Sequence, residues 1–136
     1  ETGVVSILDL AAVHDCGTII NPALVEGQTL GGIAMGVGAA LMEEQHYDDD
    51  GRLLTNRLKA YLMPRAGDLP SIKLGHQVTP SPYTLLGTKG AGEASVGGGL
   101  AAVANAVDDA LSPLGVVVRE FPLSPPRILE LINSAR

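Results

Sequence analysis

Residues 87–95 read GTKGAGEAS, a glycine-rich run that carries a single carboxylate, Glu93. Glycine is used where the backbone must take a positive φ angle or approach another group closely. The run therefore predicts a turn that presents Glu93 to a bound ligand. A structural interpretation stays open beside this one, because an acidic residue at the start of a helix also stabilises that helix through its macrodipole.

A long helix is predicted from Asn21 and Pro22, since Asn is a favoured N-cap and Pro a favoured first helical residue. We expect it to run to about Gln45. Its centre, residues 29–42, is uncharged and rich in glycine. Each interior glycine costs a helix about 1 kcal/mol relative to alanine, so the pattern predicts close packing against another backbone. This apolar centre is too short to span a bilayer, which needs about 20 residues.

Two more helices are predicted nearer the C-terminus. After the glycine-rich run, apolar residues recur at helical spacing and mark one buried face: Val96, Leu100, Val103, Val107 and Leu111. Ser124 and Pro125 indicate the start of a last helix that continues through Ala135. Three of its apolar residues are expected to face inward: Ile128, Leu129 and Ile132.

Strands are predicted at residues 3–13, 72–78 and 116–121, where β-branched and other apolar residues are concentrated. The Asp50-Gly51 pair predicts a hairpin turn of type I′. The order of strands and helices indicates an α+β fold, with mixed layers in which helices pack on sheet.

Composition narrows the range of functions. The chain has 136 residues and a net charge of -6, which suit one domain and make a nucleic-acid partner improbable on charge grounds. Cys16 is the only cysteine, so neither an internal disulfide nor an iron–sulfur cluster can be held by this chain alone. The three histidines show no paired spacing typical of a zinc site.

Common nucleotide motifs also fail to match. Gly90-Ala91-Gly92 is followed next by Gly97, which misses the spacing of a dinucleotide-binding fingerprint. What remains for chemistry is the carboxylate of Glu93, the side-chain amide of Gln28 and many backbone N–H groups. Because the chain starts at Glu1 within a strand-like run, we expect it to be a piece of a longer polypeptide.

Several spaced blocks together resemble the large subunit of the molybdenum hydroxylases, the family of xanthine dehydrogenase, aldehyde oxidase and aerobic carbon monoxide dehydrogenase. The blocks are VHDCG at 13–17, INP at 20–22, EGQ at 26–28, LGTKGAGE at 86–93 and ANAVDDAL at 104–111. One departure is Ala60, where the family usually has an acidic residue before the tyrosine of Tyr61-Leu62-Met63-Pro64. The resemblance implies that residues 1–136 form the C-terminal segment, about half, of a molybdopterin-binding domain.

The same resemblance implies roles for individual residues. Glu93 matches the carboxylate that acts as general base in the family, and Gln28 matches a residue that hydrogen-bonds the cofactor. Further contacts to the pterin or its nucleotide are implied at Asp15, Asn21, Lys89, Gly90, Ala91 and Gly92. Structural alternatives remain for two of these, because Asn21 is also a good helix cap and Asp15 could simply hold a turn.

The implied activity is that of a molybdenum hydroxylase or dehydrogenase. Such an enzyme oxidises an electron-poor carbon, in an aldehyde, an N-heterocycle or carbon monoxide, with oxygen derived from water. The implied cofactor is molybdopterin, as the cytosine dinucleotide, with molybdenum; iron–sulfur clusters and FAD belong to other domains or subunits. We expect the remainder of the large subunit as a partner, a small-molecule substrate, a cytoplasmic location, and neither nucleic acid nor a membrane span.

Two alternatives of a different class stay open. The chain could be a scaffold or interaction piece that keeps the fold without binding metal, or a nucleotide-binding module that binds phosphate alone. Under the hydroxylase interpretation, these 136 residues by themselves should show neither activity nor tight cofactor binding, because they supply only one wall of the cofactor pocket. Their exposed apolar surface should then favour oligomers.

Overall fold

The computed structural model describes residues 2–135. Within them it places a two-stranded parallel sheet and three α-helices, which confirms the α+β class. The elements in chain order are β1 (Leu10–His14), α1 (Pro22–Leu41), β2 (Ile72–His76), α2 (Ala94–Leu111) and α3 (Pro125–Ser134), with short 3-10 helices at Ala66–Asp68 and Ser112–Leu114.

The first predicted strand is shorter than expected. Only Leu10–His14 pairs with β2, in a register that sets Leu10 opposite Ile72 and His14 opposite His76. Residues 3–9 pair with no strand among residues 2–135, so the expectation of a strand from Gly3 was wrong there. Apolar composition alone does not make a strand, because each strand needs a neighbour for its backbone hydrogen bonds.

The strand predicted at 116–121 was also wrong, since this segment is irregular. Val116 is buried, and the N–H of Val118 donates to Asp108 Oδ1 at 2.7 Å instead of to a neighbouring strand. Just beyond it, the N–H of Leu123 donates to the carbonyl of Ala40 at 2.7 Å. The segment is thus held by single hydrogen bonds to the ends of α1 and α2.

Helices α1 and α2 lie with their backbones in contact. A Cβ built on Gly36 would lie 2.6 Å from both the N atom of Leu100 and the carbonyl O of Val96. One turn earlier, a Cβ on Gly32 would lie 2.6 Å from the hydroxyl of Ser95. Because contacts advance in the same direction along both helices, the pair is parallel, and the prediction of close packing around the glycines is confirmed.

The core forms where these helices meet the sheet, α3 and the segment before α3. Its buried residues are Ile33, Val37, Ala40, Leu41, Val103, Val107, Leu123 and Ile128. The predicted inner face of α2 is therefore confirmed at Val103 and Val107. In α3 the prediction is confirmed at Ile128, and Ile132 packs against the same core.

The end of α1 differs from the prediction. The helix stops at Leu41, whereas we expected it to reach about Gln45. The N–H groups of Met42 and Glu43 both donate to the carbonyl of Gly38, at 2.9 and 2.8 Å. Sharing one carbonyl in this way closes the last turn. Glu43 then accepts a hydrogen bond from the hydroxyl of Tyr61 at 2.6 Å, and this bond raises the pKa of Tyr61.

The hairpin turn is present but has a different geometry. Tyr47 and Leu53 form an antiparallel bridge, and the N–H of Gly51 donates to the carbonyl of Asp48 at 2.9 Å. Type I′ needs positive φ at both central residues, yet only glycines have positive φ among residues 2–135. The central residues, Asp49 and Asp50, therefore do not have the type I′ conformation. The left-handed residue is Gly51, which comes directly after them with φ of 77°.

By length and composition alone, α1 is long and apolar enough to cross a membrane. Nearly half of its most apolar stretch is buried inside the protein, however, and the core helix of a soluble protein can have the same length and composition. Packing against α2 accounts for the buried part of this helix, whereas Leu24, Leu30 and Met35 stay exposed on it.

The helix contact yields a stability prediction. Gly36→Ala should lower the free energy of unfolding by about 1–3 kcal/mol, as overpacking does, because the new methyl group would meet the α2 backbone. Gly31→Ala is the matched control, since a Cβ at Gly31 meets nothing within 4 Å and alanine favours helix. Thermal unfolding followed by circular dichroism measures both. Equal midpoints for the two variants would contradict the backbone contact.

Candidate functional site

Two parts of the chain that are distant in sequence meet through a short antiparallel contact. Gly17 forms a bridge with Thr88, the N–H of Thr18 donates to the carbonyl of Gly87 at 3.1 Å, and the N–H of Lys89 donates to the carbonyl of Cys16 at 2.8 Å. A Cβ on Gly17 would lie only 2.2 Å from the carbonyl O of Gly87. Glycine is therefore required at position 17, and the contact fixes the start of the glycine-rich run against the end of β1.

Asp15, Thr79 and Lys89 form a polar cluster beside this contact. Lys89 Nζ donates to Asp15 Oδ2 at 2.9 Å and to Thr79 Oγ1 at 2.5 Å, and the hydroxyl of Thr79 donates to Asp15 Oδ2. Asp15 Oδ1 accepts from the N–H of Gly17 at 2.8 Å and from that of Thr79 at 3.3 Å. Both side chains of the ion pair are about one-third exposed.

These hydrogen bonds, above all those from the Thr79 hydroxyl and the Lys89 ammonium, hold the pKa of Asp15 well below its ordinary value. A depressed folded-state pKa stabilises the fold at pH values above the unfolded pKa, about 3.9 for Asp. That contribution is lost as the pH falls from there through the folded pKa. Asp15 is consequently ionised throughout the neutral range.

Glu93 occupies the N-cap position of α2, with φ of −123° and ψ of 9°. Its side chain makes no capping hydrogen bond to the helix and is exposed on the chain. The cap interpretation would require its carboxylate to accept from the first-turn N–H groups. The capping interpretation is therefore not supported, and the exposed carboxylate is left accessible to a ligand.

Gln28 reaches the same loop from α1. Its Nε2 donates to the carbonyl of Gly92 at 3.3 Å, so the amide stands beside the residue that precedes Glu93. Gln28 and Gly92 are 64 positions apart in the sequence, and the parallel packing of α1 and α2 brings them together. Gln28 as a whole is exposed.

Asn21 caps α1, as predicted, with its Oδ1 accepting from the N–H of Leu24 at 3.2 Å. It also lines a hollow of about 250 Å³ together with Lys89 and Ala91. A larger groove of about 710 Å³ lies elsewhere, between residues 2–10, α2 and α3. That groove is lined mostly by apolar side chains. Of the predicted site residues, Asn21, Lys89 and Ala91 line the smaller hollow, whereas Gln28 and Glu93 do not.

The backbone of the loop suits an anionic group. The N–H groups of Gly90, Ala91, Gly92 and Glu93 find no acceptor within residues 2–135, and a Cβ on Gly90 would meet nothing within 4 Å. Open N–H groups ahead of a helix N-terminus favour phosphate or similar anions. Residues 2–135 contain no group of three His, Cys, Asp or Glu side chains that could hold a metal ion.

A family model described as the molybdopterin cofactor-binding domain matches residues 1–70. This chain belongs to that family. The match covers the Asp15 and Gln28 blocks, and the similarity to individual proteins extends through the Glu93 block as well. The resemblance to the molybdenum hydroxylases that the sequence blocks indicated is therefore confirmed.

Two curated relatives are similar over most of this chain. The nicotine 6-hydroxylase large subunit of Paenarthrobacter nicotinovorans is 43% identical over 128 residues, which is 94% of this chain and 16% of that protein. The carbon monoxide dehydrogenase large chain of Hydrogenophaga pseudoflava is 37% identical over 121 residues, 89% of this chain and 15% of that protein. The chain thus spans about a sixth of the relatives it matches.

Solved structures show the same fold. Quinoline 2-oxidoreductase from Pseudomonas putida 86 superposes with a TM-score of 0.93 at 47% identity, over 97% of this chain and 17% of that one. A Cu,Mo-containing carbon monoxide dehydrogenase gives a TM-score of 0.93 at 34% identity, over 98% of this chain and 17% of that one. The arrangement of residues 2–135 is thus that of a segment of this family.

Sequence reasoning missed Thr79. It lies 64 residues from Asp15 and has no motif of its own, so only the fold reveals that its hydroxyl joins Asp15 to Lys89.

Substitutions of Asn21 can separate its role as a helix cap from a role in binding the cofactor. Asn21→Ala should lower the free energy of unfolding by about 1 kcal/mol through loss of the cap, and Asn21→Ser should restore it because serine caps equally well. Molybdenum content of the full-length protein, measured beside thermal unfolding, separates the roles. A serine variant with normal stability but little molybdenum would show that Asn21 also binds the cofactor.

Proposed function

We propose that this chain forms one wall of the cofactor site in the large subunit of a molybdenum hydroxylase, with Glu93 as the general base. The observation that carries the proposal is the hydrogen bond from Gln28 Nε2 to the carbonyl of Gly92. It sets an amide beside a loop that presents an exposed carboxylate with no capping bond. Membership of the molybdopterin-binding family supports the cofactor that this loop would meet.

The site residues have two kinds of proposed role, cofactor binding and proton transfer. Gln28, Asn21 and the backbone N–H groups of Gly90, Ala91 and Gly92 would hold the cofactor. When bound, the molybdenum cofactor would supply the two-electron oxidation and the activated, water-derived oxygen. The carboxylate of Glu93 would accept a proton in that reaction. A positioned carboxylate serves this purpose because general-base catalysis depends on placing the acceptor within hydrogen-bond reach.

We propose an N-heterocyclic compound as the substrate, ahead of an aldehyde or carbon monoxide. The relatives that share 43% and 47% of their aligned residues are named for nicotine and quinoline, both nitrogen heterocycles. Ring nitrogen withdraws electrons from the neighbouring carbon and so suits it to nucleophilic attack. Those two relatives share more identity with this chain than the carbon monoxide dehydrogenases above do, at 37% and 34%.

We further propose that the cofactor is the cytosine dinucleotide form and that iron–sulfur clusters and FAD reside in other domains or subunits. The subunit names of several relatives, such as a large subunit and a subunit gamma, support a multi-subunit assembly. A cytoplasmic location and inactivity of the isolated chain stay predictions. The scaffold alternative would be favoured by a full-length protein that folds normally yet contains no molybdenum.

Glu93→Gln tests the base. In the full-length enzyme it should keep the fold and molybdenum content but lower kcat on an N-heterocyclic substrate about 10²–10⁴-fold, since an amide cannot accept the proton. Glu130→Gln, an exposed glutamate on α3, is the matched control and should leave kcat unchanged. Near-normal turnover by the fully loaded Glu93 variant would remove Glu93 from the mechanism.

Gln28→Ala tests the cofactor contact. It should lower molybdenum occupancy of the full-length enzyme clearly, while an exposed glutamine changed to alanine shifts stability by only about 0.5 kcal/mol. Gln45→Ala, at another exposed position, should change neither quantity. Metal analysis and thermal unfolding are compared for the three proteins. A fall in melting temperature without loss of molybdenum would assign Gln28 a structural role.

A further inference from the structure

We infer that Asp15, Thr79 and Lys89 act as a positioning clamp: they fix the loop that carries Glu93, and Asp15 makes no direct contact with the cofactor. The inference rests on the proposed role of Glu93 and changes the role that family resemblance implied for Asp15 and Lys89. Both were expected to touch the pterin or its nucleotide.

The first argument concerns the capacity of Asp15. An ionised carboxylate offers about four lone-pair sites. Oδ1 accepts from the N–H groups of Gly17 and Thr79, and Oδ2 accepts from the hydroxyl of Thr79 and the ammonium of Lys89. All four sites are used within the chain, so Asp15 has none left for a ligand.

The second argument concerns Lys89. Two of its three ammonium hydrogens are taken by Asp15 and Thr79, and its backbone N–H is bound to the carbonyl of Cys16 at 2.8 Å. Both the main chain and the side chain of Lys89 are therefore fixed to the end of β1. Its charge is neutralised by Asp15, which weakens any attraction it exerts on a phosphate.

The third argument concerns what lies between the clamp and Glu93. Gly90, Ala91 and Gly92 follow Lys89, and a Cβ on Gly90 would meet nothing within 4 Å. The next fixed point is the hydrogen bond between Gln28 and the carbonyl of Gly92. A short glycine-rich stretch held only at its two ends takes its position from those ends. Lys89 is the anchor on one side, and Glu93 follows directly after the other.

The chain contains a matched control for the ion pair itself. Lys73 Nζ lies 2.5 Å from Asp9 Oδ2, and the two side chains are 70% and 60% exposed. This pair joins the residue just before β1 to β2, and neither side chain hydrogen-bonds the loop. Exposed pairs of this kind contribute little to stability, so loss of Lys73 reports the effect of removing a surface lysine alone.

The experiment uses the full-length enzyme with Lys89→Met, Asp15→Asn, the double variant, Lys89→Arg and the control Lys73→Met. Hydrogen exchange is measured on cofactor-free protein at the hydrogen-bonded amides where the loop meets the end of β1, those of Thr18, Gly87 and Lys89, and kcat, KM and molybdenum content are measured on loaded protein. Lys89→Met should raise exchange in the loop about tenfold or more. It should lower kcat by up to about 10²-fold, the cost of misplacing a catalytic group by about 1 Å, with KM and molybdenum content little changed.

Two comparisons set positioning apart from a general structural role. Lys89→Arg should restore most of the exchange protection and of kcat, because arginine still pairs with Asp15. The double variant should show no more loop exchange and no lower kcat than the less active of the two single variants, since the effects of substitutions in one hydrogen-bond network do not add. Lys73→Met should leave loop exchange and kcat at the wild-type values. Should a Lys89 or Asp15 variant fail to fold, Thr79→Val removes only the hydroxyl and serves in its place.

The inference is overturned if Lys89→Met loses molybdenum while loop exchange stays unchanged, because Lys89 would then bind the cofactor directly. Unchanged exchange and unchanged kcat would equally overturn it, as would losses that simply add in the double variant. The proposed function is tested separately: full activity of Glu93→Gln would remove the general base, yet the exchange measurements on cofactor-free protein would still report whether the clamp orders the loop.

Discussion

The parallel contact between α1 and α2 is the constraint on which the rest of the site depends. Gly36 lies against Leu100, Gly32 against Ser95, and one turn earlier Gln28 bonds to the carbonyl of Gly92. The same four-residue step continues from the buried helix contact into the candidate site. Any side chain at Gly36 would separate the helices and move Gln28 away from the loop.

A second fixed contact operates from the other side of the loop. The bridge between Gly17 and Thr88 and the Asp15–Thr79–Lys89 cluster tie the loop to the end of the parallel sheet. Glu93 is thus placed by two independent supports, one from the helices and one from the sheet. Such definition would serve the proposed role of Glu93, because the efficiency of a general base depends on its distance and angle to the proton that it accepts.

The segment carries surfaces that its own residues leave exposed. The groove between residues 2–10, α2 and α3 is apolar, and large apolar side chains near the candidate site, among them Leu24 and Leu86, are more than half exposed. The relatives are about six times longer than this chain. This agrees with the proposal that the chain supplies one wall of the cofactor pocket and that the remainder of a large subunit supplies the others.

The sequence by itself determined the helices and the family. Asn21-Pro22 marked the start of α1, and Val103 and Val107 marked the buried face of α2, because capping and helical spacing are local properties of a chain. The spaced blocks pointed to a molybdopterin-binding segment, because the order of motifs is read directly along the sequence. The tertiary structure decided which apolar segments became strands, since pairing requires a distant partner that residues 3–9 and 116–121 do not find within residues 2–135. It alone joined Asp15 to Thr79 and Lys89, 64 and 74 residues away, because a hydrogen bond between separate segments leaves no pattern in either one.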